Sequence, residues 1–152
     1  MRYSGVLTDV TFFNGFDDEE LAMVGATARC VTHPAGSRLF QQGDPASGCW
    51  FIERGHVEID EIGDPHPVET LGPGDMVGWS WLFPPYRRHF GAVTITAVSA
   101  VWLDTDRLLR FMDNEPQLGY RFTWRMCEVV LHRWKAERQH LIGWRVSSAM
   151  GR

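Results

Sequence analysis

The sequence has little of three features that would each define a class of protein. Its three cysteines, Cys30, Cys49 and Cys127, are odd in number and widely spaced, which excludes a CxxC pair and a disulfide framework and predicts reduced thiols. No apolar run approaches the ~18 residues that a membrane-spanning helix needs. The N-terminus also lacks the hydrophobic core and small-residue cleavage site of a secretion signal. We therefore expect a cytoplasmic protein that does not associate with membranes.

The chain also has little excess charge. Its 15 Lys and Arg residues against 19 Asp and Glu residues give a net charge of -4, which argues against nucleic-acid binding through bulk electrostatics. Hydrophobic residues make up 44% and charged residues 22% of 152 positions. This composition is typical of a globular chain that is long enough to bury a core. We expect a single domain over residues 1–152.

The histidines do not form a metal-binding pattern. A cupin-type site needs a His-x-His pair in one strand and another His on a later strand, and no such pair occurs among His33, His56, His66, His89, His132 and His140. Glu128 and His132 are spaced for a contact on a helix surface, but a metal site needs three or four ligands. No Ser-His-Asp or Cys-His arrangement can be argued from the spacing. The sequence thus predicts neither catalysis nor a bound metal. A cupin-type metalloenzyme is the least favoured of three functional hypotheses, and the other two are given below.

Three kinds of pattern follow one another along the chain. Asp17, with Glu20 three residues later, forms a capping box that predicts a helix over about residues 17–29. Over about residues 31–104, glycines separate short β-prone runs, as in an antiparallel roll. Helical spacing then predicts a short and a long helix over about residues 106–143. The predicted fold is mainly β, an antiparallel β-roll (double-stranded β-helix, or jelly roll) with an N-terminal helix and a long C-terminal helix.

Four segments in this order resemble the cyclic nucleotide-binding domain family along residues 12–142. They are Phe16 followed by Asp-Asp-Glu-Glu-Leu, and residues 36–44, 50–57 and 71–78. The resemblance implies an allosteric sensor that holds cAMP or cGMP in its β-roll, as in bacterial catabolite-activator-like regulators. Those regulators carry a helix-turn-helix domain after the long helix. Too few residues follow Trp144 for such a domain, so we expect no nucleic-acid binding by this chain alone.

The resemblance also implies where a ligand would be bound. Members of the family bind the ligand with a segment called the phosphate-binding cassette. A Glu directly after the first glycine of this cassette binds the ribose 2′-hydroxyl, and an Arg shortly before the next strand binds the cyclic phosphate. Here Trp79 follows Gly78. Counting back from Ala97, taken as the small residue of the following strand, places the arginine position at Gly91. Both key positions are therefore expected to depart from the family pattern.

The candidate ligand-binding residues all lie in this cassette. They are Gly78, Trp79, Ser80, Trp81, Leu82, Arg87, Arg88, His89, Gly91 and Ala92. Arg87 and Arg88 either bind an anion or are solvated loop charges, and we favour the second interpretation. Trp79 either stacks on a base or plugs an empty pocket, and Ser80 is expected to cap a single helical turn. The ligand is then a cyclic nucleotide, another small anion, or none.

The long helix has a second apolar face, for which no cover is evident in the sequence. Its residues, at close to seven-residue spacing, are Cys127, Val130, Trp134, Leu141 and Trp144. Because an exposed tryptophan stripe is an aggregation hazard on a monomer, we expect a homodimer through this helix, the alternative being packing against the chain's own roll. The predicted function is a non-catalytic regulatory module with an altered pocket. The second hypothesis is an accessory subunit of a larger complex. Its own pocket is then empty, and the Trp-rich loop after Gly78 and the C-terminal helix are its docking surfaces.

Overall fold

The computed structural model describes the backbone of residues 7 and 10–150, and the side chains of residues 7 and 10–135. It divides into two compact units, Met1–Asn114 and Glu115–Arg152. The elements are a 3-10 turn (Thr11–Phe13), α1 (Asp18–Gly25), β1 (Ala28–His33), β2 (Arg38–Phe40), β3 (Cys49–Arg54), β4 (Val57–Asp60), β5 (Glu69–Leu71), β6 (Met76–Val77), a second 3-10 turn (Ser80–Leu82), β7 (Gly91–Thr94), β8 (Val98–Leu103), α2 (Thr105–Asn114) and α3 (Pro116–Met150).

Two four-stranded antiparallel sheets form the roll, with strand orders β1-β8-β3-β6 and β2-β7-β4-β5. In β4, Val57 and Ile59 are buried and Glu58 and Asp60 are partly exposed, which is the alternation expected of a strand with one face in the core. The core cluster between the sheets contains Trp50, Ile52, Val57, Ile59, Leu71, Val77, Ala92, Val98 and Ala100. The predicted mainly β roll with flanking helices is confirmed.

The capping box at the start of α1 is confirmed. The Asp17 carboxylate accepts a hydrogen bond from the Glu20 backbone N–H at 2.8 Å, and the Glu20 carboxylate accepts one from the Asp17 N–H at 3.0 Å. The helix ends at Gly25 rather than near residue 29. Ala28 is already paired with Leu103 in the first sheet, so the strand begins where the predicted helix would have continued.

Replacing Asp17 by Ala is expected to lower the free energy of unfolding by about 1 kcal/mol, because the Glu20 N–H loses its acceptor. For a chain of this size the midpoint of thermal unfolding should fall by about 2–4 °C. Glu19→Ala is the matched control, since it removes an exposed acidic residue from the same turn without touching the box. Equal shifts in the two variants would contradict the assignment.

Strand β7 ends at Thr94 although the β-branched run continues through Ile95 and Thr96, and β8 begins only at Val98. Ala97 therefore lies in the turn between β7 and β8. This turn packs against the turn after β3, where Gly55 has φ +92° and a Cβ atom would overlap the Ala97 carbonyl oxygen. The close approach of these two turns explains why the β-branched run does not continue as one strand.

The described residues of the second unit form one helix, α3, which continues past the predicted end near Gly143 to Met150. A glycine inside a helix costs only about 1 kcal/mol, so Gly143 alone does not end it. Leu118, Phe122 and Met126, which share one face, are buried. Among the described residues, no helix combines the length and the apolar character that crossing a bilayer requires.

Candidate functional site

Arg88 lies inside the roll, although it belongs to a loop. Its side chain is only 4% exposed. Its Nη2 atom donates hydrogen bonds to the carbonyl oxygens of Gly48 at 2.7 Å and Ser47 at 3.4 Å. The guanidinium carbon lies 4.1 Å from the ring centroid of Phe40 and 5.9 Å from that of Trp50. The interpretation of Arg88 as a solvated loop charge is therefore wrong.

The backbone of the loop explains this orientation, because it runs alongside residues 43–46. Hydrogen bonds of 2.8 Å run from Gly43 N to Arg88 O, from Arg88 N to Asp44 O and from Ala46 N to Tyr86 O, and Pro45 and Arg87 form an isolated β-bridge. Successive side chains of an extended segment point to opposite sides. Arg87 is accordingly exposed, where its Nη1 donates to the Gly43 carbonyl at 3.3 Å, and Arg88 points inward.

The assignment of the arginine position to Gly91 requires Ala97 to be a strand residue, and this requirement is not met. Ala97 follows β7, in the turn before β8. Arg88, three residues before β7 begins, is the arginine that reaches the interior of the roll. The expectation that no arginine is in register with the cassette therefore fails.

The guanidinium of Arg88 is a buried cation with an incomplete set of partners. Burial lowers its pKa, while Cys49 and Asp44 act in the opposite direction. Burial also raises the pKa of the Cys49 thiol to about 12, against the effect of Arg88, so the thiol is neutral at physiological pH. Within the described part of the chain, Nε and Nη1 of Arg88 have no hydrogen-bond partner. Because a buried charge is costly unless it is paired, this arrangement is suited to receiving an anion.

Gly78 and Arg88, both candidates from the sequence, meet in the structure. Gly78 has φ +82°, and a Cβ atom there would lie 2.5 Å from the Arg88 Nη1 atom. A glycine is thus required both by the backbone conformation and by the close approach of the guanidinium. The ring of Trp79 is half-buried and contacts Phe83 edge-on, with ring centroids 6.5 Å apart. Stacking on a base and plugging of the pocket by Trp79 both stay predictions.

The single helical turn expected after Gly78 is the 3-10 turn Ser80–Leu82. Ser80 does not cap it, because the N-cap is Trp79 and the Ser80 hydroxyl accepts a 3.4 Å hydrogen bond from the His89 backbone N–H. The Leu82 N–H donates to the Trp79 carbonyl, and the His89 side chain is exposed.

Trp81 belongs to the interior of the protein. It is only 1% exposed, so the expectation that the tryptophans of the Trp-rich loop form a docking surface is wrong for this residue. The short turn directs its indole inward, whereas Phe83, one residue beyond the turn, is 48% exposed. The aromatic side chains of this loop therefore lie partly in the core and partly at the surface.

Gly91 and Ala92 belong to β7, where they have different neighbours. Ala92 is fully buried and is paired with Phe40, whose ring lies under Arg88. A Cβ atom at Gly91 would overlap the Asp60 carboxylate, which forms a 2.8 Å ion pair with Arg38. Ala92 thus adjoins the candidate site, and Gly91 faces a separate ion pair.

Several residues around Arg88 were missed as site residues from the sequence, namely Phe40, Ser47, Gly48 and Trp50. Phe40 and Trp50 lie in segments that carry the family resemblance, but no local pattern indicates that their rings flank a cation. Gly48 has φ +99°, and a Cβ atom there would overlap the Trp102 indole. A glycine in or next to a strand often marks a close approach by another group, and Gly48, directly before β3, is the signal that the sequence offered.

The exposed face of α3 consists of Tyr120, Trp124, Cys127, Leu131 and Trp134, spaced alternately by four and three residues. The rings of Tyr120 and Trp124 stack with their centroids 6.3 Å apart. Of the residues predicted to dimerise, Cys127 and Trp134 belong to this face and Val130 is half-buried beside it. Leu131 was missed, and the side chains of Leu141 and Trp144 lie outside the described residues.

A surface cavity of about 250 Å³ is lined by Arg107, Arg110, Phe111 and Asn114 of α2. Asp106 and Asp113 on the same helix offset the two arginines, so no net charge favours an anion there. Among the described residues, no group of three His, Cys, Asp or Glu side chains could hold a metal ion. The cupin-type alternative therefore has no ligand set in that part of the chain.

Comparison with known proteins gives a family match across the roll. The model of the cyclic nucleotide-binding domain matches residues 30–115. A CRP-like cAMP-activated global transcriptional regulator of Mycobacterium tuberculosis is 29% identical over 117 residues, covering 75% of this chain and 52% of the regulator. A cAMP-dependent protein kinase regulatory subunit of Aspergillus niger is 26% identical over 110 residues, covering 72% and 27%. The chain thus spans about half the length of the first relative and about a quarter of the second.

Solved structures show the same fold. A Geobacter metallireducens protein named for cyclic nucleotide binding is similar with a TM-score of 0.81 and 25% identity, covering 88% of this chain and 99% of its own. A cyclic nucleotide-binding domain from Methylobacillus flagellatus has a TM-score of 0.76 at 20% identity, covering 93% and 83%. These similarities extend the match beyond the roll to most of the chain.

Proposed function

Since the chain belongs to the cyclic nucleotide-binding domain family, we propose that it is a non-catalytic regulatory module that binds a cyclic nucleotide, or a similar small anion, at Arg88. The observation that carries this proposal is the buried guanidinium with two nitrogen atoms that have no partner among the described residues. The names of two relatives include cAMP, which makes cAMP the first ligand to test. We also propose the cytoplasm as its location.

The surroundings of Arg88 support anion binding for three reasons. A hydrogen bond between two charged groups is about twice as strong as one between neutral groups. An anion would also compensate a charge that has already been removed from water, so little further desolvation of the protein is needed. The rings of Phe40 and Trp50 keep the guanidinium in apolar surroundings and hold it by cation–π contact.

The altered part of the proposed pocket is Trp79. The family resemblance places at this position a Glu that accepts a hydrogen bond from the ribose 2′-hydroxyl, and an indole cannot accept one in this way. We therefore propose a site that reads the phosphate through Arg88 and makes no use of the 2′-hydroxyl. Its ligand specificity would then be broader than that of a site with the carboxylate.

Calorimetric titration with cAMP and 2′-deoxy-cAMP tests this proposal. The wild-type protein is expected to bind both with affinities within about threefold, because no charged group reads the hydroxyl. Trp79→Glu is expected to prefer cAMP by about tenfold or more, the effect of one hydrogen bond to a charged group. Trp79→Phe is the control, because it makes the side chain smaller without adding a carboxylate. It should bind cAMP and 2′-deoxy-cAMP with similar affinities.

Each other result has a definite meaning. Binding by Trp79→Glu alone would show that Trp79 plugs the pocket of the wild-type protein. A strong preference of the wild-type protein for cAMP would contradict the proposed role of Trp79. No binding of either nucleotide or of inorganic phosphate by any of the three proteins would contradict the proposed ligand class.

The proposed assembly is a homodimer formed through the exposed face of α3. What supports it is the alternation of four- and three-residue spacings, which brings apolar residues to one side of a helix every 3.5 residues on average, as in a coiled coil. The face includes Leu131, which is 50% exposed, and Trp124, which is 59% exposed. A second copy of the same helix would present a face of the same period and chemistry.

An accessory role in a larger complex is the second candidate function. The rings of Phe83 and Tyr86, in the loop before β7, are 48% and 47% exposed. Aromatic residues of this kind are enriched where proteins contact partners. Binding of a partner through this loop is compatible with either an occupied or an empty site at Arg88.

A further inference from the structure

We propose that an anion bound at Arg88 is sensed by helix α2 through two hydrogen bonds that meet at Gly48. This inference rests on the proposed function, because it assigns the route by which the same site would regulate the rest of the chain. The Arg88 Nη2 atom donates to the Gly48 carbonyl at 2.7 Å. The Gly48 N–H donates to the Thr105 hydroxyl oxygen at 2.6 Å, and Thr105 is the first residue of α2.

Both bonds are buried, which makes them sensitive to small displacements. Thr105 is fully buried, and Arg88 is 4% exposed. Solvent is therefore not available to replace a partner that moves away, and a buried polar group that loses its partner retains its full desolvation penalty. A shift of the guanidinium has to be followed by Gly48, or the Gly48 carbonyl is left without a donor.

Gly48 has little room to absorb such a shift by itself. A Cβ atom on it would overlap the Trp102 indole, so its Cα lies directly against that ring. The next residue, Cys49, is paired with Leu103 at the end of β8. Trp102 and Leu103 belong to the end of β8, which is joined to the first residue of α2 through Asp104 alone. Gly48 is thus held between the guanidinium and the segment that leads into this helix.

The anion supplies the force for the shift. Nη2 is engaged with neutral carbonyl oxygens, whereas an anion offers stronger, charge-assisted hydrogen bonds. Nε and Nη1 have no partner among the described residues and are available for it. We infer that binding draws the guanidinium towards the ligand, lengthens its bond to Gly48 and loosens the bond from Gly48 to Thr105. The first turn of α2, where the Leu108 N–H donates to the Asp104 carbonyl, should then open more often.

Amide hydrogen exchange of α2, measured with and without saturating cAMP, tests this route. In the wild-type protein, cAMP is expected to accelerate exchange in the first turn of α2 by about tenfold, the effect of weakening one buried hydrogen bond. Thr105→Ser keeps the hydroxyl and should show the same acceleration. Thr105→Val keeps the shape without the hydroxyl and should show none, although it still binds cAMP by calorimetry.

A second arm needs no ligand. Arg88→Met should accelerate exchange in the same turn of the ligand-free protein, but it should have no such effect when combined with Thr105→Val. The route is overturned if exchange in the first turn of α2 accelerates equally with and without the Thr105 hydroxyl. It is also overturned if exchange does not accelerate at all when Thr105 is present. Failure of cAMP to bind the wild-type protein overturns the proposed ligand, and this second arm then decides the coupling of Arg88 to α2 separately.

Discussion

Replacing Arg88 by Met is expected to abolish measurable binding of cAMP and, at the same time, to stabilise the ligand-free protein. Loss of two charge-assisted hydrogen bonds to the phosphate should weaken binding by at least about 100-fold. The stability gain arises because a buried cation without a carboxylate partner is replaced by an apolar side chain of similar length. After the cost of leaving the Gly48 carbonyl without its donor, we expect a net gain of about 1 kcal/mol.

Calorimetric titration and urea unfolding of the same preparations measure the two effects. Arg87→Met is the matched control, because it removes a neighbouring arginine that is exposed and makes one 3.3 Å hydrogen bond to a carbonyl. Its affinity for cAMP should stay within about threefold of wild type, and its stability within about 0.5 kcal/mol. Wild-type affinity in Arg88→Met, or equal losses in the two variants, would refute the role assigned to Arg88.

Replacing Leu131 by Glu is expected to convert a dimer into a monomer. A carboxylate buried in the interface without a partner costs on the order of 4 kcal/mol, which corresponds to about a thousandfold rise in the dimer dissociation constant. Size-exclusion chromatography with light scattering at micromolar concentrations gives the mass directly. Trp134→Glu, on the same face, should act in the same direction.

The control for the interface is His132→Glu. It introduces the same charge at a solvent-exposed residue of α3 that does not belong to the proposed dimer face. This variant should remain dimeric. A monomeric wild-type protein would contradict the proposed dimer, and a dimeric Leu131→Glu protein would place the interface elsewhere.

Local patterns in the sequence were sufficient to predict the architecture. The capping box at Asp17 and Glu20, the polar-apolar alternation of β4 and the spacing of the glycines each reflect interactions between residues that are close in the chain. The type and order of the elements followed from them. The limits of the strands did not, because the turn after Thr94 depends on packing against Gly55, about 40 residues earlier.

The orientation of the candidate site could not be predicted for the same reason. Arg87 and Arg88 are chemically identical neighbours. Only the pairing of their backbone with residues 43–46 directs the Arg87 side chain to solvent and the Arg88 side chain into the core. The link from Gly48 to Thr105 spans 57 positions and leaves no local pattern. On α3, the half-buried Val130 and the exposed Leu131 are adjacent aliphatic residues, so the choice between them required the structure.

The uncompensated charge of Arg88 should also tie the cellular lifetime of this protein to its ligand. A ligand that binds only the folded state at 100 times its dissociation constant adds about 2.7 kcal/mol of stability, which lowers the unfolded fraction about 100-fold. Proteases act on that fraction, so the ligand-free protein should be degraded faster and its steady-state amount should rise with the ligand concentration. Abundance would then be a second output of the site, independent of any conformational signal, and Arg88→Met should make it constant.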